Sequence, residues 1–222
     1  MVSDSQISLV FPTMDQTQTA REYHRWLAEV ATVRGLIGPR EVDRLWDRHI
    51  FNSAVVESLI PQEATVADIG SGAGLPGIPL AIARPDIQVT LIEPLLRRTT
   101  FLSEVVESLN LTNVRVVRGR AEEKAVREQV EPFDVVTSRA VAPLGKLSKW
   151  CLPLVKTGGS MVALKGSTAE EEIQRDATDI GKANGTNPRV TELGAEVLST
   201  VTYAVIIDKK EPGAKKSRKA RK

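Results

Sequence analysis

The chain has 222 residues, 41% of them hydrophobic and 26% charged, with a net charge of +2: an ordinary globular composition, long enough for one sizeable core. No apolar run approaches the ~20 residues of a membrane span, and Met1–Gln6 carries no basic stretch followed by an apolar one, so neither a membrane helix nor a signal peptide is expected. A single cysteine, Cys151, and two histidines, His24 and His49, exclude a disulfide framework and any cysteine- or histidine-rich metal site, which points to a metal-free protein of the reducing cytoplasm.

Along the chain, residues 1–17 are polar and read as a flexible N-terminus. From Gln18 to Val33 the apolar residues Tyr23, Trp26, Leu27, Val30 and Ala31 recur at helical spacing. After a Gly35–Pro39 break, Glu41–Leu59 reads as a second helix, with Leu45, Trp46, His49 and Ile50 near one face, and Pro61 ends it. Thr65–Ile69 is a short buried strand that enters a glycine-rich turn, and a helix follows to Ala83. Strands Ile87–Ile92, Val114–Arg118, Phe133–Ser138 and Met161–Lys165 then alternate with helices Pro94–Leu109, Ala121–Val130, Pro143–Val155 and Ala169–Ala183. Gly158-Gly159 marks a turn, and Val190–Leu193 with Thr200–Asp208 suggests a closing antiparallel pair.

Strands alternating with helices predict an α/β, Rossmann-like fold with a mostly parallel sheet. Residues 18–60 form a helical cap on it and residues 61–208 its core. Residues 209–222 form a basic tail, expected to be disordered. That tail holds eight of the 30 Lys and Arg residues, Lys215, Lys216, Arg218 and Lys219 among them, and one acid, Glu211. The remaining residues are acidic, with a net charge of −5. Such tails bind nucleic acid through counterion release.

The glycine-rich turn, Asp68-Ile69-Gly70-Ser71-Gly72-Ala73-Gly74, carries the most information. It joins a strand to a helix, where open α/β sheets bind ligands, and its glycines accept positive φ and close backbone approach. Gly72-Ala73-Gly74-Leu75-Pro76-Gly77 also fits the dinucleotide fingerprint, with Glu93 about 20 residues further on, so a nicotinamide or flavin oxidoreductase is a rival. Against it stands Asp68: a carboxylate repels a pyrophosphate and attracts an ammonium or sulfonium. The first glycine of the series, Gly70, also places the helix start later than a dinucleotide turn does.

Acid-x-Gly-x-Gly-x-Gly at a first strand resembles motif I of the class I S-adenosylmethionine-dependent methyltransferases. Glu93, closing a second strand, then takes the place of the acid that binds the cofactor ribose; a carboxylate accepts from both hydroxyls of a diol. The resemblance extends to one family, the bacterial ribosomal small-subunit methyltransferase G family, also called glucose-inhibited division protein B. Its bearers here are Leu45–Ser53, Ala67–Leu80, Arg97–Leu102, Gly119–Glu122, Thr137–Ala142 and Ala163–Gly166, in family order. The resemblance implies methylation of N7 of a guanosine in 16S rRNA, in the helix 18 loop near the decoding site. Either 16S rRNA or the 30S subunit is then the partner and S-adenosylhomocysteine the product; a monomer is the separate expectation for this chain. It also implies cofactor contacts at Gly70, Leu75, Ala121, Glu122 and Arg139, beside Asp68, Gly72, Gly74 and Glu93 from the motif itself. Arg48, His49 and Lys165 become candidates for RNA contact.

Guanine N7 has a lone pair and no proton to lose, so its methylation needs alignment more than a general base. Arg139, at the ligand edge of the sheet, is the candidate to orient the substrate, through O6 or phosphate. The Asn/Asp-Pro-Pro-Tyr/Phe signature of amine methylation is replaced here by Ser138-Arg139-Ala140-Val141, and Cys151, flanked by Trp150 and Leu152, reads as core. Trp26 and Trp46 likewise read as core. Three rivals remain: the oxidoreductase, a non-catalytic RNA-binding protein on a relic cofactor fold, and a small-molecule methyltransferase.

Overall fold

The computed structural model describes residues 2–211. Seven strands form one sheet: β1 Thr65–Ile69, β2 Gln88–Glu93, β3 Val114–Arg118, β4 Phe133–Arg139, β5 Val155–Lys165, β6 Gly185–Leu193 and β7 Thr202–Lys209. Their order is β3-β2-β1-β4-β5-β7-β6. Strands β1 to β5 run parallel; β7 pairs antiparallel with both β5 and β6. This confirms the α/β, Rossmann-like expectation and the final antiparallel pair.

The short strands are near-continuously apolar because both faces are covered. Alternate residues supply the two cores: Val66, Leu91 and Val135 face one, and Ala67, Ile92 and Val136 the other. On the second face lie α7 Leu144–Cys151 and α8 Ala169–Lys182; α6 Lys124–Arg127 adds Val126 to that core. On the first face lie α4 Gly77–Ala83 and α5 Leu96–Ser108, joined by the N-terminal cap. Tyr23, Leu27, Leu45 and Ile50 of the cap share a single core with Ile78, Leu80, Leu91 and Phe101. Trp26 meets Phe101 edge-on, and Trp46 stacks on His24. Cys151 is fully buried, and burial pushes its thiol well above the ordinary range, as a core role requires.

Several expectations need correction. Residues 1–17 were expected to be flexible, yet α1 Asp4–Val10 and α2 Met14–Arg25 form there, each opened by a capping box, from Ser3 with Gln6 and from Thr13 with Gln16. Ile7 and Phe11 are fully buried. The side-chain amide of Gln16 also donates to the carbonyls of Ile82 and Ala83 at the end of α4. Residues 39–59 are helical but not one α-helix. A 3-10 segment, Pro39–Arg44, leads into a wide π-wound segment, Leu45–Phe51, then α3 Asn52–Ala54 and a 3-10 turn, Val55–Leu59. The Gly158-Gly159 pair is not a turn between elements. It lies within β5, where a Cβ on Gly159 would come within 2.4 Å of the Asp134 carbonyl oxygen. Glycine lets β5 pass the register shift opposite Phe133 and Val135.

The basic tail begins later than residue 209. Lys209 ends β7 and donates to the Leu152 carbonyl. Lys215, Lys216, Arg218 and Lys219 lie outside the described residues. None of the described helices is long and apolar enough to cross a membrane.

Because Phe11 is wholly buried, Phe11→Ala should cost about 3–5 kcal/mol in urea unfolding. Leu9→Ala, two residues away on a side chain 64% exposed, should stay within about 0.5 kcal/mol. Equal, small effects would refute the folded N-terminus.

Candidate active site

The strand order reverses between β1 and β4, and ligands of open α/β sheets bind outside the carboxyl ends at such a point. A cleft of about 400 Å³ opens there. Gly70, Glu93 and Arg139, from the ends of β1, β2 and β4, line it, with Ala121 and Glu122 beyond β3. The structure thus gathers five of the nine residues read from the sequence as cofactor contacts.

The glycine turn is held from both sides. Gly70, Gly72 and Gly74 have φ of +71°, +59° and +101°, so each occupies the left-handed region that glycine alone enters freely. The Gly74 and Leu75 amides donate back to the Ser71 carbonyl at 2.7 and 2.9 Å. The Glu93 carboxylate accepts from the Gly72 amide and the Leu95 amide, both at 3.0 Å, and Arg98 Nη1 lies 3.5 Å away. Below the turn, the Tyr23 hydroxyl donates to the Ala73 carbonyl at 2.8 Å. A Cβ on Gly70 would meet Val141 at 2.8 Å, so the loop after β4 rests directly on the turn.

Asp68 differs from expectation. It is fully buried and does not line the cleft. Its Oδ2 accepts from the Gly77 amide at 2.9 Å, at the start of α4, while Oδ1 has no partner. Burial raises its pKa to about 7, against the amide of Gly77 and the cation of Arg139, which lower it. Gly72, Gly74 and Leu75 shape the turn without lining the cleft.

Arg139 reaches back to the cap. Its Nη1 donates to the Arg48 carbonyl at 3.1 Å and its Nη2 to His49 Nδ1 at 3.0 Å. Both acceptors lie in the π-wound segment, a winding that recurs at functional sites. His49 is therefore not displayed for RNA; it is a mostly buried bridge whose Nε2 lies 2.8 Å from Glu41. Lys165 also departs from the RNA role. Its side chain is 11% exposed and donates to Glu172 at 2.8 Å and to the Ala142 carbonyl at 3.0 Å. Glu172 accepts as well from the Leu144 amide, so the pair pins the loop after β4. The Arg48 guanidinium, 60% exposed, does face solvent. It stands in a second, larger groove of about 1420 Å³ between the cap and residues 196–201.

Sequence reasoning gave no role to Glu41, Tyr23, Arg98, Val141 or Trp150. Trp150 lines the cleft, with Lys146 4.9 Å from the centre of its ring. The signal for Arg98 was present in the Arg97–Leu102 stretch; for Tyr23 and Glu41 only the folded cap supplies it.

The raised pKa of Asp68 has a consequence for stability. Between about pH 4 and pH 7 the folded chain holds a proton on Asp68 that the unfolded chain has released, so this group's contribution to stability falls as pH rises and levels off above about 7. Asp68→Asn should remove that slope, worth up to about 4 kcal/mol. Urea denaturation of both proteins from pH 4 to 8 measures it; parallel curves would contradict it.

Known proteins place this geometry in a family. The model of the rRNA small subunit methyltransferase G family matches residues 16–200. The ribosomal RNA small subunit methyltransferase G of Corynebacterium glutamicum is 62% identical over 193 residues, which is 87% of this chain and 86% of the relative. Among solved structures, a methyltransferase from Pyrococcus furiosus superposes with a TM-score of 0.56 at 17% identity, over 87% of this chain and 98% of its own. M. jannaschii TYW2, in complex with AdoMet, gives 0.50 at 20% identity, over 68% and 70%. These two share the fold. By the extent of the family match and the identity to the curated relative, the chain belongs to the rRNA small subunit methyltransferase G family.

Proposed function

We propose that the chain transfers a methyl group from S-adenosylmethionine to N7 of a guanosine in 16S rRNA, in the helix 18 loop near the decoding site. The observation that carries this is the cleft at the strand-order reversal, walled by the Glu93 carboxylate, in a chain of this family. The residues present fit the cofactor. Glu93 would take the ribose hydroxyls, its oxygens already aligned by two backbone amides. Gly70 and Ala121 would bring backbone close to the ligand, and Glu122 would accept from its polar edge. Asp68, its Oδ1 unpartnered and its pKa raised to about 7 by burial, is partly protonated at neutral pH and supplies only part of a negative charge beneath the turn. Bound there, a sulfonium supplies an electrophilic methyl group, which guanine N7 takes with no proton to remove.

Arg139 lines the cleft with its remaining N–H groups free of the cap, so it can hold the cofactor or orient the guanine through O6 or phosphate. Arg48, exposed in the larger groove, would contact RNA phosphate. The basic tail would add non-specific affinity. The oxidoreductase reading is disfavoured by Asp68: its carboxyl occupies the Gly77 amide at the start of α4, the place where dinucleotide folds seat a pyrophosphate.

The test uses methyl-labelled S-adenosylmethionine with 30S subunits and with naked 16S rRNA, both from a strain lacking this methylation. Labelled N7-methylguanosine in one RNA fragment is expected. Label at another atom, or none with cofactor binding intact, would refute the substrate. Glu93→Gln should weaken S-adenosylhomocysteine binding about a hundredfold, since it removes the charge from an acceptor of several hydrogen bonds; calorimetry decides. Removing residues 212–222 should weaken RNA binding and lower its salt slope with cofactor affinity unchanged. An unaltered salt slope would count against the tail.

A further inference from the structure

Arginine only donates hydrogen bonds, and its guanidinium stays charged. With Arg139 Nη2 3.0 Å from His49 Nδ1, that nitrogen must be the acceptor. The imidazole proton then sits on Nε2, facing the Glu41 carboxylate at 2.8 Å. The chain Arg139–His49–Glu41 therefore donates in one defined direction, from the cleft to the cap. The same guanidinium is held by the Arg48 carbonyl, so the cap grips it in two places.

We propose that His49 is a positioning residue: its neutral imidazole, oriented by Glu41, offers Nδ1 to Arg139 and fixes the guanidinium that lines the cleft. The proposal rests on the reading of that cleft as the cofactor site. It assigns the cap a part in building the site, beyond covering the sheet.

The surroundings agree. The groups facing His49 are Glu41 on the 3-10 segment, Arg48 on its own segment and Arg139 on β4. Burial lowers the imidazole pKa, Glu41 opposes this, and the Arg139 and Arg48 cations lower it further. Arg139 in turn faces Tyr23 and Asp68, which favour its charge against burial. His49 is thus neutral at pH 7, and a proton on Nδ1 would set one N–H against another and release Arg139.

Two substitutions separate the two nitrogens. The amide oxygen of Asn can occupy the place of Nδ1, whereas the amide of Gln reaches the place of Nε2. His49→Asn keeps an acceptor for Arg139 and loses Glu41; His49→Gln keeps Glu41 and loses the acceptor. By calorimetry, His49→Gln should weaken S-adenosylhomocysteine binding about tenfold, and His49→Asn by no more than about threefold. In turnover, His49→Gln should raise the KM for S-adenosylmethionine and leave kcat within about threefold. Because burial and the neighbouring cations hold the imidazole below its ordinary value, the native protein should keep its affinity through the usual histidine range and lose it only at more acidic pH, a loss that His49→Asn does not share. His24 and Asp68 are common to both proteins, so their titration cancels. Equal affinities for native and Gln proteins, or equal losses in both variants, would overturn the proposal.

A second measurement is independent of the cofactor. Nitrogen-15 shifts of the His49 ring in the free chain should show a proton on Nε2 and none on Nδ1 at pH 7. The reverse tautomer would overturn the proposal whether or not the cleft binds S-adenosylmethionine. Failure of the native chain to bind cofactor, with the Nε2 tautomer present, would instead count against the proposed function.

Discussion

Two carboxylates at neighbouring strand ends govern the site. Asp68 and Glu93 lie buried at the carboxyl ends of β1 and β2, and between them they accept from the amides of Gly77, Gly72 and Leu95. Left-handed glycines cannot hold a turn by their own conformational preference, since glycine has the most backbone freedom to lose. The acids supply that restraint from outside the turn. Leaving any of the three amides without its acceptor would strand a polar group away from water, at a cost of about 1–3 kcal/mol each.

The N-terminal cap completes this frame. Tyr23 ties the turn from beneath through the Ala73 carbonyl, and residues 48 and 49 hold Arg139 above. On the far side, the Lys165–Glu172 pair fixes the loop that carries Val141 over Gly70. Three separate stretches of sequence thereby converge on one cleft. The cap contributes apolar burial on one face of the sheet and polar contacts at its rim, and these roles use different residues of the same segments.

Much of this was legible in the chain. Thr65–Ile69 and Val114–Arg118 were read with the boundaries the structure gives, because short runs rich in Val and Ile between turn signals have few alternatives. The glycine series and Glu93 marked the cleft. What escaped depends on partners distant in sequence. Ile7 and Phe11 belong to a short, mostly apolar run, Ile7–Phe11, set in an otherwise polar stretch and too short to show helical periodicity; that run and the Ser3–Gln6 and Thr13–Gln16 capping pairs were the local signals that went unread. The Gly158-Gly159 pair looks like a turn until β4 is set beside it. Lys165 looks like a surface cation until Glu172 folds back onto it. Asp68 was read as a cofactor contact, yet its carboxyl turns to the Gly77 amide; whether it faces a ligand or α4 is decided by packing that a motif does not encode.

The Arg139–Arg48 contact joins residues 91 positions apart, and Tyr23–Ala73 joins residues 50 apart. Closing loops of that length costs entropy before any contact repays it, so such links form late in folding. During synthesis the cap leaves the ribosome well before β4. The glycine turn can gather its two acids from the first hundred residues, but Arg139 cannot meet its acceptors until the fourth strand has joined the sheet. A chain that has not yet placed β4 beside β1 lacks Arg139 at the rim, so a complete cleft reports that the central sheet is in place.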